Sequence, residues 1–300
     1  MKLIIAGGTG FIGSVLCARL LELGHSLILL TRSLSPATTS ANQKWLSWNP
    51  RSPGAWEEAI NGSDGVINLA GEPVAKRWTE RQKEKIASSR IAATRALVTA
   101  IGKVKEKPKF LLNASATGYY GPHADEALTE ESGTGNDFLS RLCAAWEKEA
   151  IKAEDHGVRV LRLRTGIVLG KGGGALAKMV LPFKLFLGGP LGDGNQWMSW
   201  IQMEDEIGLI LFLLEHPDAH GAINATAPNP VTMSEFCKTL GDALNRPSWA
   251  PVPAFALRLL LGEMAEMLLT GQRVLPAGAQ KLGYTFQYPT LLKALQTLHL

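Results

Sequence analysis

The sequence has few cysteines and little net charge, and both scarcities exclude classes of protein. Cys17, Cys143 and Cys237 are widely spaced and odd in number, which excludes a disulfide scaffold and favours reduced thiols. The net charge is only +4, and the one basic run, residues 103–109, contains a glutamate and a proline but no aromatic residue. We therefore expect no nucleic-acid partner.

Long hydrophobic runs are also missing. No stretch reaches the ~20 apolar residues of a membrane-spanning helix, and the nearest one, residues 255–269, contains Arg258, Glu263 and Glu266. That stretch predicts an amphipathic or buried helix instead. The first apolar run is short and lacks a cleavage site, so we expect no signal peptide. The six histidines show no metal-ligand spacing. A cytoplasmic protein without a metal or a membrane partner is the expectation.

Strand and helix signals alternate through the first half of the chain. Such alternation predicts βαβ units, right-handed crossovers and an α/β fold with a doubly wound parallel Rossmann sheet. After Gly170 the sequence becomes richer in loops. We expect a dinucleotide-binding domain over 1–170 and a smaller substrate region over 171–300, of which residues 199–215 pack back on the first. The expected strands are 2–7, 26–32, 64–71, 110–121 and 158–170, and the helices are 13–25, 80–101 and 136–157.

A glycine-rich turn joins the first strand to the first helix. Gly7, Gly10 and Gly13 lie three residues apart, and the positions between them include Thr9, Phe11 and Ile12. Glycine permits positive φ at a tight turn, close approach of a phosphate to the backbone, and close packing of helix on strand. The helix then points unpaired N–H groups at a pyrophosphate. Because the turn opens a βαβ unit, these six residues are predicted to bind a dinucleotide.

Several longer segments resemble one family. The segments "NLAGEPVAKRWTERQKEKIASSR", "SATGYYG", "RTGIVLGKGGGAL", "PFKLFLGGPLGDGNQWMSWI" and "GQRVLPAGAQKLGY" are similar to the YfcH-type epimerase family, within the extended and atypical short-chain dehydrogenases/reductases. The resemblance spans nearly the whole chain. It implies an epimerase or oxidoreductase acting on a small, sugar-like substrate, as a monomer or homodimer. The alternative is a catalytically weak, cofactor-loaded regulator, for example in cell division.

The end of the second predicted strand bears on the choice of cofactor. An NAD enzyme of this fold usually has an acidic residue there, whereas this chain has Thr31 and Arg32. An arginine can hold a 2′-phosphate bidentately, so we predict NADP(H), although a plain surface arginine is the alternative. Further cofactor contacts are predicted at Leu69, Ala70 and Gly71, where small residues follow a strand. The resemblance adds Arg90, whose alternative is a solvated helix residue, and Ile167 at the nicotinamide end.

The catalytic pattern of the superfamily is incomplete in this sequence. The resemblance implies a Ser together with the Tyr and Lys of a YxxxK motif, in which the lysine and the cofactor ribose lower the pKa of the tyrosine. Ser115 matches the serine. Leu139 and Cys143 stand at the positions of the tyrosine and lysine, and a shift by one residue substitutes Phe138 and Leu142.

If there is chemistry, the proton must therefore come from Tyr119, from Tyr120, from a group in the second region or from water. Tyr119 and Tyr120 follow Ser115 closely, and we expect one of them to be a core residue. Tyr119 is the predicted catalytic partner of Ser115. Without a neighbouring lysine, its phenol is expected to keep a pKa near the reference value of about 10.

Overall fold

The computed structural model describes residues 1–32 and 41–298. The strands are β1 Lys2–Ala6, β2 Ser26–Thr31, β3 Gln43–Ser47, β4 Gly65–Asn68, β5 Phe110–Ala116, β6 Ala127–Leu128, β7 Arg159–Thr165, β8 Ile167–Leu169, β9 Trp197–Met198, β10 Trp200–Gln202, β11 Gly221–Ala225, β12 Val231–Thr232 and β13 Arg273–Val274. The helices are α1 Phe11–Glu22, α2 Ala55–Ala59, α3 Glu80–Lys103, α4 Phe138–Ile151, α5 Gly174–Lys184, α6 Met203–Glu215, α7 Met233–Leu244, α8 Ala254–Leu261, α9 Glu266–Leu269, α10 Ala277–Lys281 and α11 Leu291–Gln296.

A parallel sheet forms the centre of the described chain. Seven strands lie in the order β11-β7-β5-β4-β1-β2-β3, and every neighbouring pair is parallel. The strand order reverses between β1 and β4, which places the topological switch point directly beyond the glycine turn. The predicted α/β class and doubly wound Rossmann sheet are confirmed.

Two layers of helices cover the sheet because its strands are apolar on both faces. On one face, α1 and α6 pack against Leu3, Ile5 and neighbouring side chains. On the other, residues from α2, α3 and α4 pack against Ile4, Val66 and Leu111. A parallel sheet needs both faces covered in this way. The carboxyl ends of the strands, and the loops after them, remain at one edge.

The division of the chain differs from the sequence expectation. The last strand of the main sheet, β11, comes from residues 221–225 and pairs with β7. Helix α6 packs against α1, so the return to the first domain begins near residue 203 and extends beyond the expected limit of 215. A boundary at residue 170 therefore does not separate the sheet from the rest of the chain.

Two strands of the main sheet were not predicted, and one predicted strand is divided. The two strands that were not predicted are β3 and β11. The expected strand over 158–170 is wrong as a single element, because β7 ends at Thr165 and β8 begins at Ile167. Gly166 lies between them, where a Cβ atom would come 2.5 Å from the carbonyl oxygen of Ser199. β8 then pairs with β10 outside the main sheet.

The remaining elements form a second, smaller core. Helices α5, α7 and α11 enclose Trp200, Phe236 and other buried residues. Asp205, at the start of α6, attaches the C-terminal segment by accepting hydrogen bonds from the backbone N–H groups of Gln287 (2.8 Å) and Tyr288 (2.9 Å). No helix in the described parts of the chain is long and apolar enough to cross a bilayer.

Candidate cofactor site and the buried polar network beside it

The three glycines of the turn have three different structural environments. Gly7 has φ +85°, and a Cβ there would lie 2.6 Å from the backbone carbon of Leu69. A Cβ on Gly13 would lie 2.2 Å from the Gly7 oxygen, so the helix could not pack on the turn. A Cβ on Gly10 would meet, among the described atoms, only the Gly7 oxygen, at 3.2 Å. Gly10 therefore faces open space at the mouth of the turn.

Helix α1 begins at this turn with free amide groups. Gly10 is the N-cap, and within the described residues no side chain accepts from the first turn of the helix, which also lacks an acid. Thr9 and Gly10 are exposed, while Phe11 and Ile12 are half-buried. The N–H groups and the helix dipole are thus available to an anion, which fits a dinucleotide pyrophosphate.

The other predicted cofactor residues follow neighbouring strands at the same edge. Thr31 ends β2 and the exposed Arg32 follows it. Leu69, Ala70 and Gly71 follow β4, and the backbone of Leu69 and Ala70 lies against Gly7. Because all these strands are parallel, their carboxyl ends meet at one site. Ile167 opens β8, immediately after the end of β7.

Arg90 contacts the loop after β4 and helix α4. Its Nη1 donates to the carbonyl oxygens of Glu72 (2.9 Å) and Ile86 (3.1 Å), and its guanidinium lies 5.2 Å from the ring centroid of Trp146. Burial lowers the pKa of Arg90. A Cβ on Gly71 would lie 2.9 Å from the guanidinium carbon. Arg90 thus holds the loop after β4, and direct contact with the cofactor stays a prediction.

The loop after β4 is also fixed by a buried amide network that the sequence analysis did not identify. Asn68 donates to Asn113 Oδ1 (2.7 Å) and Thr94 Oγ1 (2.9 Å), and its own Oδ1 accepts from the backbone of Ala70 (3.2 Å). Trp146 donates to the same Thr94 hydroxyl. This network ties β4, β5, α3 and α4 together directly beneath Leu69 and Ala70. A buried Asn ending a central strand was the available signal.

Ser115 is bound into a second buried network. Its hydroxyl donates to Oε1 of Glu147 (2.7 Å), and Arg164 donates to both oxygens of the same carboxylate (2.9 and 3.0 Å). Arg162 adds a third cationic contact at 3.1 Å. Burial alone would lower the pKa of Arg164, but its hydrogen bond and ion pair with Glu147 raise it. The Ser115 hydroxyl therefore points to Glu147 in this structure.

The two tyrosines after Ser115 have separate surroundings. Tyr120 is fully buried, accepts a hydrogen bond from Arg164 and donates one to Asn224 (2.7 Å), and burial raises its pKa. Tyr120 is therefore the core tyrosine. The Tyr119 ring lies 3.5 Å from the Arg164 guanidinium and lines a pocket of about 170 Å³ with Glu147 and other residues of α4. The structure brings Tyr119 and Ser115 to one network, and their catalytic roles stay predictions.

The positions of the missing tyrosine and lysine lie beside Ser115. Leu139 packs on Gly118, where a Cβ would come within 3.3 Å, and the Cys143 thiol is buried next to Ser115 and Ala116. Burial raises the pKa of Cys143 to about 12. Neither side chain can exchange a proton near neutral pH. Within the described residues, no group of three or more His, Cys, Asp or Glu side chains is arranged to hold a metal ion.

Comparison with known families identifies the fold and its relatives. The profile of the NAD dependent epimerase/dehydratase family matches residues 3–225, and a domain of unknown function, DUF1731, matches residues 252–298. The chain belongs to the NAD dependent epimerase/dehydratase family. The resemblance read from the sequence segments is thereby confirmed. The epimerase-family region ends with β11, in agreement with the extent of the main sheet.

Individual epimerase-family relatives match over nearly the whole chain. The Arabidopsis thaliana chloroplastic SDR39U1 homolog is 44% identical over 307 residues, covering 99% of this chain and 86% of the relative. YfhF of Bacillus subtilis is 42% identical over 299 residues, and the match covers 99% of this chain and 98% of YfhF. The crystal structure of human SDR39U1, determined with NADPH, superposes with a TM-score of 0.89 at 34% identity. The superposition covers 100% of this chain and 99% of the human chain.

Proposed function

We propose that this chain binds NADP(H) at the carboxyl edge of the sheet and acts as an oxidoreductase or epimerase on a small, sugar-like molecule. The observation that carries the proposal is the exposed Gly10 at the open start of α1, where a phosphate can approach the amide groups. The family supports it, as does the NADPH in the human relative. When bound, the nicotinamide supplies a hydride donor or acceptor.

Different residues of this chain bind different parts of the cofactor. The N–H groups at the start of α1 hold the pyrophosphate, and Leu69 and Ala70 lie where the adenosine ribose and phosphates come close to backbone. Ile167 opens the strand nearest the nicotinamide end. Arg32 is exposed beyond β2, and its charge lowers the pKa of Glu72 together with the stronger effect of the Glu72–Lys76 hydrogen bond. Arg32 follows β2 at the same edge of the sheet as the glycine turn, where an arginine side chain can bind a 2′-phosphate.

We expect Arg32→Ala to weaken NADPH binding about 10- to 100-fold and to leave NADH binding unchanged. One charge-assisted contact to the 2′-phosphate is worth about 1.5–3 kcal/mol. Calorimetric titration with both cofactors measures the effect. Arg95→Ala, which removes an arginine from the α3–α4 surface, is the matched control. Equal affinities of the unmodified protein for NADPH and NADH would refute the role of Arg32.

A second candidate function is a cofactor-loaded regulator without turnover. The apolar Leu139 and buried Cys143 favour it, since both stand beside Ser115 where acid–base groups are expected. The binding surface for NADP(H) is the same in either case. The two candidates differ in whether a bound substrate meets both a hydride and a proton source. Restoring the tyrosine and lysine of the YxxxK motif tests this difference.

The double substitution Leu139→Tyr and Cys143→Lys is expected to raise NADPH oxidation with small ketones and sugar nucleotides about tenfold. Acid–base help is worth roughly 10²–10⁴-fold in full, but a lysine at buried position 143 will be only partly charged. Leu139→Phe with Cys143→Met is the control for packing, and circular dichroism with NADPH binding verifies both folds. No gain in a folded, NADPH-binding variant would favour the regulator.

A further inference from the structure

The smaller core presents an unusual number of large apolar side chains to solvent. Eight of them are more than half exposed and come from two stretches, 181–187 and 249–260. We refer to them together as the apolar face. They are Leu181 (60%), Leu185 (61%), Phe186 (54%), Leu187 (57%), Trp249 (65%), Phe255 (74%), Leu259 (77%) and Leu260 (68%). Exposed apolar groups of this size mark interaction sites rather than ordinary surface.

The two stretches form one continuous surface. The Trp249 indole donates to the carbonyl oxygen of Phe186 (3.1 Å). Next to this contact, residues 188–192 run alongside residues 250–252, joined by three backbone hydrogen bonds of 2.9–3.0 Å. Helix α8 follows at Ala254 and buries only Leu257 fully among its eight residues. The apolar face therefore extends from the end of α5, across Trp249, onto α8.

The apolar face is accompanied by positive charge. Residues 174–190 and 243–262 contain four cations, while Asp193, Asp242 and Glu263 lie just beyond the ends of these two segments. Arg258 is neutralised by Glu266, at 2.8 Å. The Arg246 guanidinium lies 4.7 Å from the Phe186 ring centroid, and in the described parts of the chain neither it nor Lys184 has a carboxylate at ion-pair distance. The face therefore combines apolar groups with two cations, Lys184 and Arg246, for which the described residues provide no ion pair.

We propose that the apolar face docks on the surface of an anionic lipid bilayer. A bilayer offers acyl chains to the apolar side chains and anionic headgroups to Lys184 and Arg246. A second copy of the chain would instead bring like charges together, which opposes association. The contact needs no membrane-spanning helix, so it is compatible with the absence of apolar runs. It replaces the expectation of no membrane partner.

Helix α5, which carries one end of the apolar face, begins beside the cofactor turn. Helix α5 begins at Gly174, where a Cβ would lie 2.7 Å from the Phe11 ring, and it extends about 16 Å from there. Lys178 on α5 reaches the carbonyl oxygen of Ala75 (3.5 Å), and Gly262 after α8 lies near Arg77. Docking would therefore bring the lipid surface within about one helix length of the cofactor turn.

Sedimentation with lipid vesicles tests this proposal. We expect the purified protein to bind vesicles of phosphatidylcholine with phosphatidylglycerol and to bind pure phosphatidylcholine at least tenfold more weakly. Phe255→Glu with Leu259→Glu should weaken binding to the anionic vesicles tenfold to a hundredfold, because burial of two large apolar groups is lost. Lys184→Glu should weaken binding to the anionic vesicles about fivefold or more, and added salt should also weaken it.

Matched controls keep the result specific. Leu23→Glu removes an exposed leucine (54%) from the end of α1, and Lys107→Glu reverses a lysine in an exposed loop. Neither should change vesicle binding, and every variant should still bind NADPH, which verifies the fold. Equal binding to neutral and anionic vesicles would overturn the proposal. So would a concentration-dependent dimer that Phe255→Glu with Leu259→Glu dissociates, since that result assigns the face to a second copy.

Discussion

The Gly10→Val substitution is expected to lower NADPH affinity about 100-fold or more while the protein stays folded. Gly10 has φ −76° and ψ 176°, an extended conformation that valine adopts readily. The new Cβ meets the Gly7 oxygen at 3.2 Å, so the turn itself needs only a small adjustment. The branched side chain, however, fills the space in front of the amide groups of α1, where the pyrophosphate must approach.

Calorimetry with NADPH and thermal unfolding separate the loss of binding from a loss of fold. Loss of the glycine N-cap costs at most about 1 kcal/mol, so the unfolding temperature should change little. Gly133→Val is the matched control, because a Cβ there has no described atom within 4 Å. Gly13→Val differs from both, since its Cβ would lie 2.2 Å from the Gly7 oxygen and should destabilise the fold. Normal NADPH affinity in Gly10→Val would contradict the proposed cofactor site.

The sequence predicts the part of the fold that local patterns determine. β1, β2, β4 and β5 are short apolar runs bounded by turns, and each was expected to begin within one residue of its observed start, although the strands expected over 64–71 and 110–121 extend three and five residues too far. β3 was missed because it is a half-exposed edge strand, and its sequence QKWLS resembles a loop. β11, GAINA, lacks the branched and aromatic residues of a typical strand. Its place in the sheet depends on pairing with β7, in which Gly221 is opposite Leu161, 60 residues earlier, and no local pattern shows this pairing.

The candidate cofactor site was also predictable only where local sequence patterns determine it. The glycine turn, Arg32 and the segment 69–71 follow consecutive strands, so parallel topology alone brings them together. The role of Glu147 could not be predicted from the sequence, because it depends on contacts between α4, β5 and β7. One signal was available: Arg162 and Arg164 lie two residues apart on a predicted central strand. Two arginines on one face of a buried strand require an acid nearby.

Glu147→Gln is expected to destabilise the protein by about 3–5 kcal/mol. The carboxylate is 3% exposed and neutralises Arg164, which is equally buried, so its removal leaves an uncompensated charge in the interior. Urea unfolding followed by circular dichroism measures the change. Glu57→Gln, which removes a partly exposed ion pair with Lys103, is the control and should change stability by about 0.5 kcal/mol or less. A similarly small change for Glu147→Gln would contradict the inferred dependence on the ion pair.

Combining Glu147→Leu with Arg164→Met shows what this ion pair does beyond stability. Apolar replacement of both partners removes the buried charges together, so we expect much of the lost stability to return. Arg162 is 20% exposed and can reach water. The Ser115 hydroxyl, however, loses the acceptor that directs it in this structure. If Ser115 orients the substrate as predicted, the stable double variant should still bind NADPH and yet lose turnover. Turnover equal to the unmodified protein would mean that the Glu147 network serves the fold alone.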